Sequence, residues 1–258
     1  MVATARGSRS RSPTLVGVSW WTSSDALDQE GFYGVLGRRR DVRAEFSGTP
    51  VDPATLLRIL TAGHAAPSVG MSQPWDFIVV TDDEVRRRFE AHVREERDVF
   101  AATLEGDQLE TFSRIKIDGI LEASLSVVVT YDASRGAPNV LGRHAIGDAG
   151  LYSVCLAIEN LWLASTYEGW GLGWVSFYRE SFLGELMAIP SSVRPVAWLC
   201  LGPVTSLQEV PDLERHGWRA RSELATVLHL NRWGASPESH ADAYADALGG
   251  AVASNEPS

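Results

Sequence analysis

The sequence predicts an α+β or α/β domain, with several long helices around a small sheet. Three observations carry this: compact aliphatic or β-branched runs at residues 77–81, 125–131 and 196–201, helix-period patterns between them, and Gly and Pro clusters too short to divide the chain. With 258 residues and a 45% hydrophobic share, one domain can bury roughly three quarters of its unfolded surface, which excludes a disordered or fibrous protein.

The elements follow in order. Residues 1–27 are rich in Ser, Thr and Arg, and residues 235–258 in Ala, Ser, Gly and Asp. Neither shows periodicity, so both read as tails around a body at 28–234. Asp52 before Pro53 starts a helix, because Asp accepts from exposed N–H groups and Pro needs no partner at the first position. Leu56, Leu57 and Leu60 form its apolar face to about Ala66. After the strand at 77–81, Asp82 caps a surface helix with Val85, Phe89, Val93 and Phe100 on one side. The strand at 125–131 and a Gly/Pro-rich loop lead to a long helix at 148–168. Leu151, Val154, Cys155, Ile158, Leu161 and Trp162 make it apolar over much of its circumference, which predicts burial between two partners, one of them a second subunit. Gly169, Gly171 and Gly173 then lead into a strand at 174–177, and 196–201 is the last core strand.

The formal charge of −10 argues against a nonspecific nucleic-acid binder. The longest strongly apolar runs fall far short of the ~20 residues that span a bilayer, and the N-terminus lacks a signal-peptide order. A soluble cytoplasmic protein without membrane contact is expected. Cys155 and Cys200 lie in apolar segments and read as buried thiols.

Four segments could carry chemistry. Arg38, Arg39, Arg40 and Arg43 offer guanidinium forks suited to phosphate and carbonyl oxygens, and would hold Asp41 ionised in their midst. They could equally form a solvated basic turn. The connector from Ala65 to Trp75 offers Ser68 and Gln73 beside backbone that Gly70 leaves accessible, as a planar heterocycle requires, or is an ordinary loop. Gly169-Trp170-Gly171-Leu172-Gly173-Trp174-Val175-Ser176 brings backbone close to something, or is a tight connection. Arg219 and Arg221 clasp a phosphate or decorate the surface. There is no phosphate-binding Gly-x-x-x-x-Gly-Lys loop, no Gly-x-Ser-x-Gly elbow and no His pair at metal spacing, so no metal is expected.

In this order the segments resemble the nitroreductase-like flavoproteins over about residues 30–234, and within them the BluB group of aerobic 5,6-dimethylbenzimidazole synthases. GFYGVLGRRRDVR, APSVGMSQPW, KIDGILEAS, VLGRHAIGDAGLYSV, ENLWLAS and GLGWVSFYRE carry the resemblance. It implies a homodimeric α+β fold with a small, mostly antiparallel sheet, and FMN held by Arg38, Arg39, Arg40, Asp41, Val42, Ser68, Gln73, Trp174, Val175, Ser176, Arg219 and Arg221. It further implies that Asp41 and Ser176 serve the O2-dependent fragmentation of reduced FMN. The products would be 5,6-dimethylbenzimidazole, the lower ligand of cobalamin, and erythrose 4-phosphate, with a separate NAD(P)H-dependent flavin reductase supplying FMNH2. Met71 stands where ordinary nitroreductases place Asn, and Ser124 and Gly147 where the group has Pro. An FMN-dependent NAD(P)H nitroreductase and a non-catalytic flavin-sequestering protein remain the alternatives.

Overall fold

The structure, a computed structural model, describes residues 29–235. These gather in two compact units, one of residues 29–97 and 116–207, the other of residues 98–115 and 208–235.

The first unit is built on a sheet of β1 (Trp75–Val80), β2 (Leu125–Asp132), β3 (Trp170–Val175) and β4 (Val193–Pro203), in the order β1-β2-β4-β3 with every pairing antiparallel. The expected class is therefore the observed one, an α+β arrangement with an antiparallel sheet. Leu125, Val127 and Val129 face the helix α5 (Ala149–Tyr167), where Val154, Ala157, Ile158 and Leu161 meet them together with Ile59 of α2 (Pro53–His64). The alternate residues also lie in the interior: Trp198 stacks on Phe89 of α3 (Asp83–Ala101) at 3.8 Å between ring centres. Strands covered on both faces explain why the sequence shows continuous apolar runs rather than alternation.

Between Val129 and Thr130 the ladder with β4 slips by one residue, next to Pro195, which has no N–H to give. The Val196 carbonyl at this bulge accepts the Tyr178 hydroxyl at 3.0 Å, and burial holds that phenol well above its ordinary pKa.

Caps fall where the sequence puts them. Asp52 accepts from the N–H groups of Ala54 and Thr55, and Asp82 from those of Glu84 and Val85. The helix that the sequence places directly after GWVSFYRE is α6 (Glu180–Leu186), whereas α1 (Gln29–Arg38), α4 (Gly106–Ser113) and the short α7 (Asp212–Arg215) are not anticipated by the sequence pattern. Two local expectations change. Gly171 and Gly173 lie inside β3 rather than before it. Cys200 is buried, and burial pushes its thiol up to about 12, but Cys155 is exposed because α5 turns its second apolar side away from the sheet. Tyr152, Leu156 and Tyr167 emerge on α5, and Phe32 and Tyr33 on α1. No helix among the described residues is long and apolar enough to cross a membrane.

Candidate functional site

The site begins where residues 41–47 run beside the sheet. The Val42 N–H donates to the Leu172 carbonyl at 3.0 Å, and a parallel bridge joins Asp41 to Leu172. This proximity is what the β3 glycines serve. A Cβ at Gly173 would meet the Val42 carbonyl oxygen at 2.0 Å, and one at Gly171 would meet Val204 at 2.5 Å and Val42 at 2.8 Å. The thing brought close to this backbone is the chain's own residue 42.

That contact places Asp41 at the exit of β3. Its Oδ1 accepts the Trp174 N–H at 3.0 Å and Arg43 Nη1 at 2.8 Å, and its Oδ2 accepts Arg43 Nη2 at 2.6 Å. A carboxylate offers about four acceptor positions, so one on Oδ2 remains. The side chain keeps 40% of its surface on the open side, while protein packed behind it removes water from the others. This desolvation raises the Asp41 pKa above the ordinary carboxylate value; Arg43, the Trp174 N–H and the more distant Arg39 oppose it without prevailing. The arginines act in the expected direction, favouring the ionised carboxylate, but burial outweighs them. Arg43 is the guanidinium paired with Asp41, and Arg39 lies elsewhere.

Arg39 sits over the Trp162 ring at 4.9 Å, and the Trp162 indole N–H donates to the Arg40 carbonyl at 2.9 Å. Trp162 of α5 therefore supports the segment just before Asp41 through two contacts. The sequence offered no sign of this, because on a helix apolar all round a tryptophan reads as core. Arg40 turns to the carbonyls of Gly37 and Arg39 at 2.8 and 2.7 Å, capping the end of α1, while Arg38 is exposed.

The remaining residues fall into three groups. Val42 and Val175 are buried at 2% and 0%, so their side chains are closed to a ligand, and Trp174 is half-buried; Ser176 is exposed immediately after β3. Ser68 and Gln73 lie in the connector to β1, which is the opposite edge of the sheet from β3. In that connector Gly70, Met71 and Gln73 all have left-handed backbone, with φ of 55°, 53° and 42°; Gly70 adopts it freely, while Met71 and Gln73 carry strain of the kind found at functional sites. Gly70 is exposed, as the sequence leads one to expect, and a Cβ there would meet the Leu141 backbone at 2.7 Å. Arg219 and Arg221 belong to the second unit. There they are exposed, flanking Ala220 just after Trp218, whose ring packs with those of Phe100 and Phe112.

Comparison with known proteins agrees with this arrangement. Residues 36–203 match the Nitroreductase family. The 5,6-dimethylbenzimidazole synthase of Rhodospirillum rubrum is 34% identical over 198 residues, covering 76% of this chain and 93% of the relative. One from Rhodobacter capsulatus is also 34% identical, covering 77% and 93%. Among solved structures, oxidised iodotyrosine deiodinase bound to FMN and 3-iodo-L-tyrosine is similar with a TM-score of 0.60 and 21% identity, over 79% of this chain and 98% of that one. A BluB-like flavoprotein from Clostridium difficile 630 is similar with a TM-score of 0.58 and 18% identity, over 78% and 98%. The solved structures agree in fold and the sequence relatives agree over nearly their whole length, so the chain belongs to the nitroreductase family.

Proposed function

We propose that the protein is an aerobic 5,6-dimethylbenzimidazole synthase, an enzyme that fragments reduced FMN with O2 into 5,6-dimethylbenzimidazole, erythrose 4-phosphate and the oxidised pyrimidine remainder of the ring. The observation that carries this reading is 34% identity to synthases spanning 93% of their length. The oxidoreductase relatives of other name are more distant, and the solved structures speak for the fold alone.

The residues present fit FMN. Guanidinium groups at Arg38, Arg39 and Arg40 suit a phosphate monoester and the ring carbonyls, and the remaining acceptor position of Asp41 suits an N–H of the reduced ring. Reduced flavin supplies the electrons for O2 and the carbon skeleton of the product. Asp41 then accepts or returns protons at Oδ2, with its raised pKa bringing it nearer the working pH than an ordinary carboxylate. Ser176, exposed at the β3 exit, hydrogen-bonds the ring or a water beside it.

Two features support a homodimer. The apolar groups on α5 and α1 border a groove of about 550 Å³ that includes Phe32, Val35, Leu163 and Tyr167. Ser68 and Gln73 sit at the sheet edge opposite Asp41, so a second copy bringing its connector to the β3 edge would complete the site. Arg219 and Arg221 bind the phosphate in this reading. A separate flavin reductase delivers FMNH2 and the enzyme works in the cytoplasm. Incubation with FMNH2 in air should release dimethylbenzimidazole detectable by mass; turnover of FMNH2 to FMN alone would return the enzyme to the ordinary reductases.

A further inference from the structure

Arg43 touches three atoms that define the site. Nη1 lies 2.8 Å from Asp41 Oδ1, Nη2 lies 2.6 Å from Oδ2, and Nη2 also reaches the Trp174 carbonyl at 3.5 Å. Its side chain is only 19% exposed, against 40% for Asp41, so the fork comes from the protein side and the carboxylate looks outwards. The backbone N–H groups of Arg43 and Ala44 donate to Glu45 Oε2 at 3.4 and 3.1 Å, which fixes the turn carrying the guanidinium.

We infer that Arg43 is the positioning residue of this site: its guanidinium aims the Asp41 carboxylate, leaves one acceptor position of Oδ2 for the ligand, and sets the pH at which Asp41 takes up a proton. This deepens the proposed function, and only its kinetic arm rests on that reading. The charged and polar groups facing Asp41 are Arg43 and the more distant Arg39 of its own segment and the Trp174 N–H of β3. The Cys200 thiol of β4 is neutral at working pH. Burial works against the ionised carboxylate and Arg43 is first among the groups working for it. Without the guanidinium, the proton should bind more tightly.

The test is a carbon-detected NMR titration of the Asp41 carboxyl in flavin-free protein, assigned by the signal lost in Asp41→Asn. The protein is compared with Arg43→Lys and Arg43→Met, each checked for folding by circular dichroism. The midpoint should rise by on the order of one pH unit or more in Arg43→Met, the usual effect of losing an opposite charge at contact, and by less in Arg43→Lys. Should Arg43→Met not fold, Arg43→Gln takes its place with the same expectation. The pH limb of dimethylbenzimidazole yield should move upward by the same amount. An unchanged midpoint overturns the inference whatever the protein catalyses. A raised midpoint in a protein that makes no dimethylbenzimidazole supports Arg43 and removes the synthase reading.

Discussion

Of the four acceptor positions on Asp41, the fold uses three, and the chemistry proposed here needs the fourth. Asp41→Asn keeps the shape but not the proton-transfer role. It should bind FMN nearly as before while losing about 10²–10⁴-fold in dimethylbenzimidazole formed per FMNH2 consumed; yield and affinity measured on the same samples check this. Ser176→Ala should fall in the same direction less steeply. Arg219→Ala and Arg221→Ala should weaken FMN by about ten- to a hundredfold and riboflavin much less, since their proposed partner is the phosphate. Equal losses for both flavins would assign these arginines another task. At this scale the sequence was legible where residue type is unusual for its place, as in four arginines around one aspartate. It was silent on Trp162 and on which arginine holds Asp41, because both depend on distances across the fold.

Elements with a capping residue or a compact aliphatic run were readable, and β3 was misread for a physical reason. Its alternating glycines look like a loop, yet they are required by a strand lying against residue 42. Gly173→Ala would drive a Cβ into the Val42 carbonyl, so segment 41–43 and β3 must separate. Overpacking of this kind costs about 1–3 kcal/mol. A lowered melting temperature together with a loss of FMN affinity is expected, because the same contact positions Asp41. A second coupling joins the middle of α2 to the end of α5, where Arg58 grips Glu168 with nitrogens 2.7 and 2.6 Å from the two oxygens. The Arg58 hydrogen bonds hold the Glu168 pKa below the ordinary value. A depressed carboxylate contributes stability above its unfolded pKa and loses it as pH falls through the folded value. Glu168→Gln should therefore make the acid side of the melting-temperature profile less steep, with Asp52 and Asp132, also held below their ordinary values, supplying acid sensitivity that remains.

Among the described residues, α5 and α1 expose apolar side chains that the sheet does not cover, and Ser68 with Gln73 lies at the sheet edge opposite Asp41. A dimer would address both. Light scattering at micromolar concentration should give twice the chain mass, with an interface well over about 2,000 Å². Replacing Leu156 with Glu should yield monomers that bind FMN poorly, because each site would lose the connector of the other copy. In the proposed reaction the flavin is consumed rather than recycled. Reduced FMN carrying ¹³C in its dimethylbenzene ring, given to the protein in air, should yield dimethylbenzimidazole with the label intact and one erythrose 4-phosphate for each. Recovery of the label entirely as oxidised FMN, with no labelled dimethylbenzimidazole, would show that the protein is not a synthase.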